Sequence, residues 1–187
     1  MTTSPPPSPS ATTPAAHLAP GHWRLDPDRS QATFQVKHFW GAITVRGRFE
    51  RIEGEGDVAP DGTLRGRVRI AATSLTTKNR QRDTHLRSAD FFDVAAHPEV
   101  IVTITSGTPT PDGGFLLVGT IEAAGRSLPL ACPAAATRSG ETSVRLEAQA
   151  EVDRTRFGMT WSPLAVASSR AVLGLVAQFD RLDPADG

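Results

Sequence analysis

What most narrows the folding options of this chain is a strict two-residue alternation of apolar and polar side chains, repeated in segment after segment. In Gln31–Phe39, Ala32, Phe34 and Val36 fall on one side while Gln31, Thr33, Gln35 and Lys37 fall on the other. A strand, whose successive Cβ atoms point to opposite faces, is the structure that uses this pattern. His38 falls on the apolar face. Ile43, Val45, Gly47 and Phe49 repeat the pattern against Thr44, Arg46, Arg48 and Glu50. The phase slips at Ile52, as a bulge would cause. A turn at Pro60-Asp61-Gly62 leads into Leu64, Gly66, Val68 and Ile70, which alternate with arginines. Val100–Thr105 and Phe115–Glu122 flank a Pro111-Asp112-Gly113-Gly114 hairpin signal. Leu128–Ala136 contains Pro129 and Pro133, which cannot donate to a ladder, so it is expected at an edge or to break there. Val144–Val152 alternates cleanly, and Ala171–Leu182 is apolar enough on both faces to be covered on both.

About eight such strands, each with one apolar face and joined mostly by hairpin-length turns, predict an all-β, antiparallel up-and-down barrel. A barrel of ~8 strands either fills with side chains or holds one small ligand. Ala32, Gly47, Gly66, Gly119, Ala148 and Ala150 would leave volume unfilled if they face inward. The glycines could equally relieve twist or mark bulges in a solid core, and periodicity leaves both open.

The alternation is interrupted by Ser74–Pro98, the densest cluster of charge, histidine and aromatic rings in the chain. Thr76 or Thr77 is suited to N-cap a helix, and Lys78–Arg87 contains neither Gly nor Pro. Asp83 precedes Arg87 by four residues, a spacing that pairs charges on a helix surface. Phe91 and Phe92 close the segment, and Pro98 holds His97 extended. The expectation is a short helical insert with an aromatic turn, packed over or across one end of the β structure.

The string TTKNRQRDTHLRSADFFDVAAHP resembles the signature segment of the YceI-like family, with its R-D-x-H-L-R-S-x-D-F-F-D core. WRLDPDRSQATFQVKHF, VRGRF and VDRTRFGM agree with the family in the same order, so the resemblance runs from about Trp23 to Leu182. It departs at Ile121-Glu122-Ala123-Ala124-Gly125, where the family pattern L-T-I-H-G carries a histidine that is missing here. The resemblance implies a lipocalin-like barrel whose interior holds a long-chain isoprenoid or similar amphiphilic lipid. On that reading the ligand-binding residues are Phe34, Val36, His38, Phe49, Gly66, Val68 and Ala148 on the strands. The insert adds Arg80, Arg82, His85, Arg87, Phe91 and Phe92, and the last motif adds Met159 and Trp161.

Each has a blander reading. His38 would serve as a hydrogen-bonded core histidine, and at least one of Phe91 and Phe92 as a packing residue. Arg82 and Asp83 suit a structural pair, leaving Arg80 and Arg87 to face an anionic headgroup, since guanidinium matches phosphate oxygens. The D-R-x-x-F-G-M turn, Asp153 to Met159, reads as structural first, with Gly158 a backbone requirement.

Length and composition bound the remainder. At 187 residues the chain is expected to hold one domain, residues 22–183, behind a Pro/Ser/Thr/Ala-rich tail, residues 1–21, that lacks the apolar content for a core. Twenty basic and twenty acidic residues leave no net charge, which argues against a nucleic-acid partner. The lone Cys132 has no partner for an internal disulfide, and its single occurrence fits a reducing compartment. No basic start with an apolar run of ~7–15 residues is visible, so the cytoplasm is the expected location. No run approaches the ~18 apolar residues of a spanning helix. His38, His85 and His97 match no metal-ligand spacing, and no nucleophile elbow or phosphate loop is present, so neither metal, cofactor nor enzymatic activity is expected. The expected function is to carry or sequester a polyisoprenoid or quinone-like lipid, with a homodimer as an optional state. An enzyme or accessory factor acting on such a lipid, or a stress-related interaction protein, are the alternatives.

Overall fold

The computed structural model describes residues 18–38, 42–161 and 167–182, with only the backbone of His38 included. The first strand, β1 (Gly21–His38), is long because its alternation begins at Trp23, well before Gln31. It is followed by β2 (Ile43–Phe49), β3 (Ile52–Val58), β4 (Leu64–Ala71), the two-residue β5 (Leu75–Thr76) and helix α1 (Arg80–Arg87). Then come β6 (Glu99–Pro109), β7 (Phe115–Ala123), β8 (Arg126–Arg138), β9 (Ser143–Asp153) and β10 (Ala167–Arg181). All strand pairs are antiparallel, and β1 pairing with β10 closes the circuit β1-β3-β4-β6-β7-β8-β9-β10, an eight-strand barrel. β2 and β3 act as one kinked strand: β2 follows the second half of β1, β3 the first half, and the phase slip at Ile52 is the break between them.

Inward side chains make the core. Trp23, Leu25, Phe34, Phe49, Val68, Phe115, Val144 and Phe179 are all buried. Burying one such large side chain stabilises by about 1.5–3 kcal/mol. On β10 the inward Ala171, Ala177 and Phe179 are buried and the outward Val172 and Val176 half-buried, so the outer face is only partly covered. β8 runs beside β7 from Arg126 to Ala134 and beside β9 from Ala134 to Arg138. Pro129 and Pro133 stand in the half that has no β9 partner, where a missing N–H donor breaks no ladder on that side. A short 3-10 turn, Arg154–Phe157, sits there instead, and Arg126 donates to its Arg156 carbonyl at 3.4 Å.

Three expectations are corrected. The helix starts at Arg80, not Lys78, and its cap is Asn79, whose side chain accepts from the Arg82 amide. Thr76 and Thr77 precede it and donate to Asp83 instead. The expected Asp83–Arg87 pair is replaced by these bonds, and Arg87 instead reaches the backbone carbonyls of Thr73 and Leu75. The tail expected over 1–21 does not extend that far: Leu18 is buried, and the Trp23 indole donates to the Ala19 carbonyl at 3.2 Å. Residues 1–17 lie outside the described residues.

Candidate functional site

Inside the barrel is a cavity of about 210 Å³, lined from Leu18 and Trp23 at one end to Leu86, Phe92 and Met159 at the other. Its width comes from small inward residues. Gly56 and Gly66 are register partners on β3 and β4, and Ala148 and Ala150 stand on β9. A Cβ at Gly66 would lie 2.9 Å from the backbone oxygen of Glu55, so this glycine serves a close backbone approach as well as the cavity. Gly47 is required for another reason: the Phe34 ring occupies the space in which its Cβ would stand, 2.2 Å away. Phe34, Phe49 and Phe92 then pack as a tilted trio, with ring centroids 5.7 to 6.3 Å apart. Phe92 comes from the insert, so these rings join the insert to the cavity wall.

A hub of hydrogen bonds holds the insert in place. Asp83 is buried and accepts from the Thr77 amide at 2.8 Å, the Thr77 hydroxyl at 2.5 Å and the Thr76 hydroxyl at 3.2 Å. Arg82 donates to the Thr77 hydroxyl and carbonyl, so neighbouring Arg82 and Asp83 clamp one threonine from both sides. Burial pushes the Asp83 pKa up, but the Thr77 and Thr76 hydrogen bonds and the Arg87 charge outweigh it, and the carboxyl titrates below its ordinary value. Arg87, expected at a headgroup, is spent on backbone carbonyls that tie α1 to the β4–β5 connection. Arg80 is exposed and lies away from the cavity lining.

Eight of the expected residues line the cavity: Phe34, Val36, Phe49, Gly66, Val68, Phe92, Ala148 and Met159. Arg80, Arg82, His85, Arg87, Phe91 and Trp161 are outside it. His85 lies 4.2 Å from the Trp161 ring and 5.2 Å from Phe91, edge-on to both, and contacts Asp90 at 3.1 Å. This cluster packs on the outer side of the insert, with Trp161 44% exposed, which corrects the expectation that Trp161 lines an apolar channel. The side chain of His38 lies outside the described residues.

Sequence reasoning placed Arg154 in a structural turn and did not count it among the binding residues. It lines the cavity with only 6% of its surface exposed, and among the described residues it is the buried charge of that lining. Its guanidinium donates to the carbonyls of Ser168, Met159 and Trp161. Burial lowers its pKa from the ordinary value, opposed by the Asp153 charge, and arginine remains protonated nonetheless. Gly158, at φ +87°, caps the 3-10 turn that presents it. Leu86 was also missed; it is the sole aliphatic residue of α1, a signal that a one-sided packing contact would leave.

A family model described as a YceI-like domain matches residues 23–179. The chain belongs to the YceI-like family. Among curated relatives, a UPF0312 protein of Staphylococcus aureus (strain N315) is 37% identical over 99 residues, which is 52% of this chain and 57% of that protein. A second, from strain MRSA252, is 31% identical over the same length. The chain thus spans little more than half the length of the curated relatives it matches. Solved structures share this fold. Burkholderia cenocepacia BcnA gives a TM-score of 0.76 at 12% identity, covering 82% of this chain and 98% of that one. A polyisoprenoid binding domain from Saccharophagus degradans, implicated in plant cell wall breakdown, gives 0.70 at 14% identity over 86% of this chain and 98% of its own. At these identities the likeness establishes the YceI-like fold and nothing finer.

Proposed function

We propose that this YceI-like barrel binds a long-chain polyisoprenoid or quinone-like lipid in its interior and carries or sequesters it without transforming it. The observation that carries this reading is an apolar cavity running between the two ends of the barrel, with one buried cation, Arg154, near the insert. Each buried CH₂ of a tail contributes about 0.8 kcal/mol gross. Ordering the tail and losing its translation take back a sizeable part. The cavity volume of about 210 Å³ is below the roughly 300–1,000 Å³ of ordinary ligand sites. Admitting a long tail therefore requires the Phe34, Phe49 and Phe92 rings to turn or the insert to lift. The named Saccharophagus domain, which shares the fold, supports the ligand class. Arg154 supports a head that carries an oxygen acceptor, because a guanidinium offers five donors and the described residues take up only part of that capacity.

The test is organic extraction of the purified protein followed by mass spectrometry, with uptake of an added polyprenyl lipid measured in parallel. A co-purified or stoichiometrically captured isoprenoid is expected. No captured lipid and no uptake would sink the reading, and turnover of the added lipid would replace it by the enzyme.

A further inference from the structure

A carrier of membrane lipid has to meet a lipid surface, and the end of the barrel where β1, β2 and β5 come together carries side chains suited to that meeting. β5 lies beside β2 with Thr76 opposite Arg48, and a Cβ on Gly47 would stand 3.0 Å from the Thr77 methyl. Lys78 stands two residues beyond Thr76, where a left-handed backbone (φ +59°) turns the chain out of β5 towards α1. On the other side of β2, Arg46 faces Gln35 and Thr44 faces Lys37, so Lys37 is the diagonal neighbour of Arg46 on the outer face. Arg80 follows Lys78 by two residues. Lys37, Arg46, Lys78 and Arg80 are all exposed, and their side chains make no hydrogen bond or ion pair among the described residues. Glu50, just past the end of β2, is already held by Arg48 at 3.0 Å, and Glu151, on β9 across β10 from Gln35, by Arg170 at 3.2 Å. Ile43, 52% exposed, opens β2 at the same end.

The contrast with the neighbouring wall is what gives this patch meaning. On β3 and β4, Glu53, Glu55 and Asp57 stand opposite Arg69, Arg67 and Arg65, so the outward charges alternate in sign and offset each other. The whole chain has no net charge, so a field able to attract anions must come from such a local excess. Phe34 and Val36, on the inner face of the same stretch of β1, line the cavity. Lys37 and Arg46 therefore stand on the outer face of the strands whose inner face walls the insert end of the cavity.

We propose that this end docks on an anionic lipid surface, with Lys37, Arg46, Lys78 and Arg80 meeting headgroup phosphates and Ile43 entering the interfacial layer. The inference rests on the lipid-carrier reading for its purpose, but the docking itself is measurable without cargo. The experiment is co-sedimentation of the full chain with phosphatidylcholine vesicles, with and without phosphatidylglycerol. Binding is expected only with phosphatidylglycerol and weakens as salt rises. Each cation near such a surface strengthens binding by about fivefold, so Lys78→Gln with Arg80→Gln lowers it by about 25-fold. Ile43→Ser lowers it further, while Arg24→Gln with Arg65→Gln, at the other end, leaves it unchanged. Equal binding to both vesicles, or equal loss from the two double variants, overturns the proposal. Lipid uptake from detergent solution, run on the same proteins, separates the two readings. Docking lost with uptake intact supports the patch as a surface contact, whereas docking intact with uptake lost, as after Ala148→Phe, bears on the carrier alone.

Discussion

Asp83 is buried, and burial alone would raise its pKa; its three hydrogen bonds from Thr76 and Thr77 reverse that, so the folded state prefers the ionised carboxylate. A group with a lowered folded pKa adds stability that is fully present above its unfolded value, about 3.9, and is lost as pH falls through the folded value. Thermal melts of the natural chain should therefore drop below about pH 4 by more than those of Asp83→Asn. Equal acid slopes would show that Asp83 does not titrate differently on folding. The arginines of the insert divide by partner. Arg82→Ala and Arg87→Ala should each cost about 1–3 kcal/mol, because each leaves backbone or hydroxyl acceptors of the insert unpaired. Arg80→Ala, which removes no bond, should stay within about 0.5 kcal/mol in the same denaturation series. The R-D adjacency was readable as structural; the role of Arg87 was not, because its acceptors are carbonyls at Thr73 and Leu75, and backbone acceptors leave no mark in residue types.

Among the elements, the β3–β4 pair and the β7–β8 hairpin carry the clearest tests. Gly66 and Ala148 both line the cavity, but they answer differently to substitution. A side chain at Gly66 presses on the Glu55 carbonyl, so Gly66→Phe should lower the melting temperature along with binding. Ala148→Phe, projecting from β9 into open volume, should abolish lipid uptake while shifting stability by less than about 1.5 kcal/mol. Similar melting losses for the two would show that the space beside Ala148 is not free. In the two-residue loop of the β7–β8 hairpin, Ala124 has φ +48° and Gly125 φ +70°, the left-handed pair of a type I′ turn. Alanine is strained there, and Ala124→Asn should stabilise by about 0.5–1 kcal/mol in urea unfolding. Strand existence was legible from period alone, but this strain was not, since alanine carries no turn signal. The helix boundary was misplaced for a related reason: Thr76 and Thr77 are good caps in isolation, but a buried carboxylate competes for their donors.

For the molecule as a whole, the two ends of the barrel are closed by segments distant in sequence, Leu18–Trp23 at one and Leu86–Phe92 at the other. Removing residues 1–17 should leave the melting temperature unchanged. Removing residues 1–20 takes away buried Leu18 and the Ala19 acceptor of Trp23, and should lower it by several degrees, with about 2–4 kcal/mol lost as for a deleted core leucine. Equal melts for both truncations would show that Leu18 contributes nothing to closure.

Periodicity in the sequence determined that this chain forms an antiparallel barrel, because a side-chain period of two is a local consequence of strand geometry and needs no partner to be visible. The same alternation put Phe34, Phe49 and Val68 on apolar faces and left open whether Ala148 faces unfilled volume, and the structure sets all four on the cavity. Only the tertiary structure decided which side of the insert faces the cavity. Phe91 and Phe92 are adjacent in sequence and equivalent in composition, yet one packs on His85 and Trp161 outside while the other meets Phe34 and Phe49 within. That choice depends on how α1 is rotated against β2 and β5. Bonds that Arg82 and Arg87 donate and Asp83 accepts fix the insert on residues 5–14 positions before it, and Phe92 meets Phe34 and Phe49 only once the strands that carry them have come together.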